Sequence, residues 1–334
     1  MGLDKLFSLL ALSAGLALFP NTADAQKPSR RADNKITATK PSPDALAVLV
    51  CVAHTAVYET PDCLSIADPT LSKNIDHPIS PASLVKMMTA YMVYRHVRDH
   101  NKSLDDPFIT LTEQDRVEGR MGLKNGILSD CKGYSPVELM AGLTLTYRDA
   151  ILAMTAFSAN NAAIASAKSL APDGREASFA ARMTEQARDL GLASTRFMNA
   201  SGMPWDGQTT TARDMARLLN IIVADLGREQ FRQLFGNETA RIAGLAIHRN
   251  GQEIGNSIKL LQRDELNILG AKTGTLTRLS NIAFYADPNS IGTITIILGS
   301  PNGAARDGLA VQLLQRAAKL VSSPAYAARP PVAY

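Results

Sequence analysis

Ser80-Pro81-Ala82-Ser83-Leu84-Val85-Lys86-Met87-Met88-Thr89-Ala90-Tyr91-Met92-Val93-Tyr94-Arg95 is the stretch around which the chain is organised. Ser80 suits an N-cap and Pro81 a first helical position, so the pattern predicts a helix opening there. Leu84, Met87, Met88 and Tyr91 recur at i, i+3, i+4 and i+7, the signature of a buried helix face. Ser83 and Lys86, three apart, then share one side of the helix, close enough to pass a proton. A serine hydroxyl is a weak nucleophile until a base takes its proton, and a lysine can be that base only when neutral. Burial against the methionine-rich face and the positive end of the helix both disfavour the ammonium form. Ser-x-x-Lys arises about once by chance in a chain this long. A second copy, Ser129-Asp130-Cys131-Lys132, runs straight into Gly133 with no apolar helical run, and is given no role.

The 334 residues begin with Lys5, an apolar run from Leu6 to Phe19, and Ala23-Asp24-Ala25 before Gln26. This is the pattern of a signal peptide over residues 1–25, cleaved near Ala25, and it predicts a periplasmic or secreted protein. No later stretch is long and apolar enough for a transmembrane anchor in the mature chain. Losing Asp4, Lys5 and Asp24 raises the net charge from +4 to +5, a modest excess compatible with an anionic cell-wall partner. Much of the excess lies in residues 26–44, where Lys27, Arg30, Arg31, Lys35 and Lys40 stand among Pro, Ser and Thr. That segment reads as a disordered basic tether and not as a nucleic-acid patch. Cys51, Cys63 and Cys131 leave open one bridge with a free thiol, or three buried thiols. No Cys-x-x-Cys or His-Glu-x-x-His occurs, so neither a metal nor another cofactor is expected.

Taken in order, Ala45 to Ala53 reads as a buried strand, with Thr55 to Thr60 as a neighbour. Asp99 to Tyr134 is broken by Gly and Asp and reads as irregular, with at most one short strand or helix. Ser135-Pro136-Val137-Glu138 opens a predicted helix to about Leu145. An Ala-rich helical stretch from Arg148 to Leu170 is interrupted at Phe157-Ser158-Ala159-Asn160-Asn161, where polar residues in an apolar surround need partners or a job. Helices are predicted at Glu176 to Leu190 and Thr211 to Leu226, with a turn-rich loop, Phe197 to Trp205, between them. Strands follow at Arg241 to His248, Glu253 to Gln262, Ala271 to Thr275, Ser280 to Ala286 and Gly292 to Gly299. A helix from Ala304 to Val321 closes the domain, and residues 322–334 read as a disordered tail. An early strand and a late set of strands imply one sheet built from both chain ends, with the middle helices inserted as a lobe. Residues 45–321 thus form one two-lobed α/β unit.

Lys272-Thr273-Gly274-Thr275 lies on one of the late strands. Gly274 lets a ligand approach the backbone and pair with it as an added strand. Ser158-x-Asn160 is weak by itself. In conjunction, a helix-start Ser-x-x-Lys, a Ser-x-Asn between helices 75 residues later, and a strand-borne Lys-Thr-Gly 114 residues further on are specific.

With these motifs the chain resembles the serine-type D-alanyl-D-alanine carboxypeptidases, the low-molecular-mass penicillin-binding proteins. Met121 to Gly126, Arg148-Asp149-Ala150, Phe197-Met198-Asn199 and Thr211 to Ala216 are further similar stretches, in the family's order. The resemblance implies a β-lactamase/DD-peptidase-like fold, with an antiparallel sheet from both chain ends, flanking helices and an inserted, mostly helical lobe. It implies peptidoglycan stem peptides as substrate and β-lactams as inhibitors. It casts Ser83 as nucleophile, Lys86 as base, Ser158 and Asn160 as catalytic partners, and Lys272, Thr273, Gly274 and Thr275 as substrate-binding. A D,D-endopeptidase and an idle wall- or β-lactam-binding module are the alternatives. Asn161 stands where the family usually has Asp, and extra residues occur between Thr60 and Ser80 and around Cys131. A class A β-lactamase is disfavoured because Glu265-Leu266-Asn267 has the wrong spacing for a deacylation motif.

Overall fold

The computed structural model describes residues 46–53, 64–65, 71–131, 137–237, 240–243, 248–249, 252–253, 256, 258–287 and 291–323. The signal segment, the tether, Thr55 to Thr60 and the tail beyond residue 323 lie outside them. Strands β1 (Ala47–Val52), β2 (Leu64–Ser65) and β3 (Ser72–Lys73) precede helix α1 (Val85–Asp99). Then come β4 (Pro107–Thr110), α2 (Glu113–Glu118), β5 (Met121–Lys124), β6 (Ile127–Asp130), β7 (Thr144–Thr146), α3 (Tyr147–Thr155), α4 (Asn160–Leu170) and α5 (Glu176–Asp189). After α6 (Ala212–Leu226), α7 (Arg228–Phe235), β8 (His248–Arg249) and β9 (Gln252–Glu253) come β10 (Ile268–Leu276), β11 (Leu279–Ala286), β12 (Thr293–Ser300) and α8 (Gly303–Val321).

The main sheet runs β10-β11-β12-β1-β2, with β3 also on β1, and every pairing is antiparallel. The first strand therefore sits beside the last, as the two-ended sheet predicted. Alternation along β1 explains why both faces are covered. Ala47, Leu49 and Cys51 pack toward the helical lobe and α6, whereas Val48 and Val50 pack under α8. Along β12, Ile294, Ile296 and Leu298 join the first cluster and Ile297 the second. The sheet is thus a middle layer, and β10 forms its edge. Cys51 is disulfide-bonded and Cys131 is a free thiol, which decides between the cysteine alternatives.

Local capping explains several boundaries. Thr112 and Thr146 each form a capping box, with Asp115 and Asp149, and Thr211 accepts the Asp214 N–H. Residues 99–134, expected to be irregular, hold β4, α2 and the β5–β6 hairpin. Helix α7 has no counterpart in the sequence reading.

Four expectations need correction. Ser80 caps nothing: Ala82 turns at φ +49°, a three-residue 3-10 helix covers Ala82–Leu84, and α1 starts only at Val85. The described part of the Ser135 to Leu145 helix is a loop leading into β7. Its Leu139 carbonyl accepts from Asn161 Nδ2 (2.7 Å) while Asn161 Oδ1 accepts the Leu139 N–H (3.4 Å), so a side chain takes the bonds a helix would use. Thr144 and Leu145 are then drawn into pairing with Thr110 and Ile109. Of the strands expected at Arg241 to His248 and Glu253 to Gln262, the described residues show only the two-residue pair β8–β9, and Lys259–Gln262 is 3-10 helical. There Leu260 and Leu261 both turn into the α8-side core, which strand alternation would forbid.

The two-way clamp on Leu139 needs a donor and an acceptor, so Asn161 is chemically distinct from Asp at this position. Asn161→Asp strands the buried Leu139 carbonyl, at about 2 kcal/mol, while a carboxylate in the first turn of α4 returns at most about 1 kcal/mol. A net loss of about 1 kcal/mol is expected in urea denaturation at neutral pH. Unchanged or higher stability would contradict the clamp.

Candidate active site

The turn that carries Ser83 is shaped by its neighbours. Pro81 adopts φ −67° and ψ −22°, and Ala82 then enters the left-handed region, which costs an L-residue about 1 kcal/mol or more. Gly202, itself at φ +81°, lies so close that a Cβ there would stand 2.0 Å from the Ala82 carbonyl oxygen. A Cβ on Gly274 of β10 would stand 2.9 Å from Ser83 N and 3.0 Å from Pro81 O. Fully buried Asn281 on β11 donates to the carbonyls of Ser80 (2.9 Å) and Pro81 (3.0 Å) and accepts the Gly299 N–H (2.8 Å). Backbone approach from two sides and a side-chain strap from a third hold the strained turn. Ser83 itself stays partly exposed.

Beneath it, Lys86 is 0% exposed. Its Nζ donates to Asn160 Oδ1 (2.6 Å) and, closely, to the Ser201 carbonyl, which leaves the lone pair of the neutral amine for the Ser83 hydroxyl at 3.1 Å. Burial first, and then the positive charge of Lys272, hold the amine well below the ordinary lysine range. Lys86 is therefore an amine biased toward its neutral form and in contact with an accessible hydroxyl.

Ser158 lies between α3 and α4 at φ +57°, in the break that the sequence places there. Its Oγ accepts from Lys272 Nζ (3.0 Å). Asn160 opens α4 and donates from Nδ2 to the Gly119 carbonyl (2.8 Å), which orients Oδ1 toward Lys86. Lys272 also donates to Thr273 O (2.8 Å), and its pKa falls to about 7, through burial first and the nearby Arg306 guanidinium second. Both lysines bind fewer protons folded than unfolded. They destabilise the fold at neutral pH, and less so as pH rises toward 10.5. On edge strand β10, Lys272 and Gly274 are buried, Thr273 is partly exposed and Thr275 exposed.

The structure thus brings together two hydrogen-bonded groups, Ser83–Lys86–Asn160 and Ser158–Lys272, near enough for the Lys272 charge to act on Lys86, with Gly274 against the Ser83 N and Thr273 and Thr275 along the same edge. Ser129, of the second Ser-x-x-Lys, is on exposed β6. Sequence reasoning missed the Ser201 carbonyl, Gly119, Asn281 and Arg306. The loop Phe197 to Trp205 held a signal for the first, because a Gly and an Asn in a buried turn mark a shaped backbone. Arg306 gave none, being one more basic residue on an amphipathic helix. Among the described residues no three His, Cys, Asp or Glu gather as a metal site.

A sequence model of the family described as D-alanyl-D-alanine carboxypeptidase matches residues 70–302. Among curated relatives, D-alanyl-D-alanine carboxypeptidase DacC of Escherichia coli (strain K12) is 29% identical over 248 residues, 72% of this chain and 56% of the relative. DacA of the same strain is 27% identical over 244 residues, covering 72% and 55%. The chain thus spans a little over half the length of these relatives. Solved structures with a similar fold include penicillin binding protein 5 from Haemophilus influenzae, with a TM-score of 0.66 and 23% identity over 84% of this chain and 72% of that one. Penicillin binding protein 6B from Escherichia coli gives 0.63 and 22%, over 86% and 81%. The match over residues 70–302 spans both the Ser83–Lys86 turn and the Lys272–Thr275 edge, and by it the chain belongs to the D-alanyl-D-alanine carboxypeptidase family.

Proposed function

We propose that the protein is a serine D-alanyl-D-alanine carboxypeptidase that acts on peptidoglycan stem peptides and is acylated by β-lactams. The observation that carries this reading is the fully buried Lys86 amine, held below its ordinary pKa and hydrogen-bonded to the accessible Ser83 hydroxyl. Family membership supplies the substrate class. Residues 1–25 would direct the chain to the periplasm, and no helix among the described residues is long and apolar enough to cross a membrane.

In this mechanism Ser83 Oγ attacks the carbonyl carbon between two D-alanines as its proton passes to neutral Lys86. The oxyanion forms against the backbone N–H groups of Ser83 and Thr275, a pairing supported by the close approach of Gly274, next to Thr275, to the nucleophile turn. Asn160 holds Lys86 in place. Ser158, tied to Lys272, relays to the departing amine the proton that Lys86 took from Ser83, and D-alanine leaves. Water then attacks the ester carbonyl, releasing the shortened peptide and restoring the Ser83 hydroxyl. The terminal carboxylate docks at Thr273 under the positive potential of Lys272 and Arg306. An arriving carboxylate raises the Lys272 pKa, so substrate itself favours the charged form.

Incubation with purified muropeptides should release D-alanine from pentapeptide monomers. Cleavage of crosslinked dimers would move the reading to an endopeptidase, and unchanged monomers and dimers would leave only the binding module. Ser83→Ala should lose covalent labelling by fluorescent penicillin with an unaltered circular dichroism spectrum. Retained labelling would refute the assignment of the nucleophile.

The rate of acylation should fall as pH drops through the folded-state pKa of Lys86 and level off well before pH 10.5. Lys272→Met, by removing the repelling charge, should move that acidic limb to higher pH. A wild-type rate still climbing near about pH 10, as an ordinary lysine would dictate, contradicts the assignment of the base.

A further inference from the structure

The carbonyl that Lys86 meets at Ser201 sits on a loop tied peptide by peptide. Asn199 closes the turn, donating from Nδ2 to Met203 O (2.9 Å) and accepting the Gly202 N–H at Oδ1 (2.7 Å). The Ala200 carbonyl accepts the Thr89 hydroxyl of α1 (2.7 Å). On its other side the Ala200 N–H donates to Oε1 of Glu176, the first residue of α5 (2.8 Å). Asn199, Thr89 and Lys86 belong to the site or its immediate wall. Glu176 is the one carboxylate in this set, and it touches the loop at the Ala200 N–H.

The surroundings of that carboxylate are mixed in charge. Glu118 on α2 and Lys168 on α4 face it, with Lys168 paired to Asp115 (2.8 Å) and to Glu118 (2.5 Å). The adjacent Arg175 is turned away onto Asp173 (2.8 Å). Desolvation outweighs the Ala200 N–H and pushes Glu176 up to about 7, with Glu118 raising it and Lys168 lowering it.

We propose that Glu176 is a positioning residue for acylation: by holding the Ala200 N–H it sets the Ser201 carbonyl against Lys86, and so aims the Lys86 amine at Ser83. The proposal rests on the reading of Lys86 as proton acceptor. An ionised carboxylate makes the stronger, shorter bond, so the loop is held best above the pKa of Glu176 and loosens below it. Glu176 therefore adds a second proton-dependent step to the acidic limb that Lys86 sets.

The test compares the full chain with Glu176→Gln and Glu176→Ala, measuring acylation by fluorescent penicillin from about pH 6 to about pH 9 alongside thermal melting. Glu176→Ala should lose about tenfold to a hundredfold in acylation rate at every pH, the scale of a misplaced base. Glu176→Gln keeps the acceptor oxygen and cannot ionise, so it should stay within about threefold of wild type near pH 9 with a shallower acidic limb. Wild-type rate and pH profile in Glu176→Ala overturn the proposal. So does equal loss in both variants with the wild-type profile shape and a lowered melting temperature, the mark of a merely structural role. Failure of the wild type to label overturns both the proposal and the acyl-enzyme reading beneath it.

Discussion

A lysine with no solvent exposure has to surrender its proton or find its charge partners inside the protein. For Lys86 those partners are oxygens without full charge: a hydroxyl, an amide and a main-chain carbonyl. Three acceptors match the hydrogen-bonding capacity of an ammonium, so the site could hold the proton that catalysis delivers. Burial first, and the charge of Lys272 second, disfavour the ammonium form at rest. The amine is thus poised by two opposed influences: hydrogen bonds that welcome a proton, and burial with a like charge that resist it.

Much of the surrounding architecture is arranged around that atom. Asn160 is aimed by the Gly119 carbonyl, and α4, which it opens, is tied to the preceding loop through Asn161 and Leu139. The Ser201 carbonyl is set by the loop that Thr89 and Glu176 grip from opposite sides. The hydroxyl is presented by a left-handed Ala82 that Gly202, Gly274 and Asn281 together confine. Strain at one residue is stable here because the sheet edge and the helical lobe both over-determine it.

The two-ended sheet was legible because β1, β11 and β12 are apolar runs of strand length, and α8 follows with an unbroken stripe. The motifs were legible because catalysis needs those residue types at positions that periodicity locates: a turn before a buried helix, a break between two helices, and a strand carrying a glycine. What stayed hidden depends on contacts distant in sequence. Ser80 and Pro81 look like a helix start, yet Gly202 and Gly274 press on the turn and delay the helix to Val85. Ser135 to Leu145 looks helical until Asn161 takes the Leu139 backbone. The roles of the Ser201 carbonyl and of Arg306 arise only when loop and helix are brought to the site by the fold.

The central claim is that Lys86 is neutral in the resting protein and lies in direct contact with the nucleophile. It is tested most directly by nuclear magnetic resonance of the chain labelled with carbon-13 at lysine Cε, with the Lys86 signal assigned by its loss in Lys86→Met. A Cε signal that reaches its free-amine shift at a clearly lower pH than those of the exposed lysines is the result that burial, aided by Lys272, predicts. A Lys86 signal that keeps its ammonium shift until about pH 10 would contradict the account.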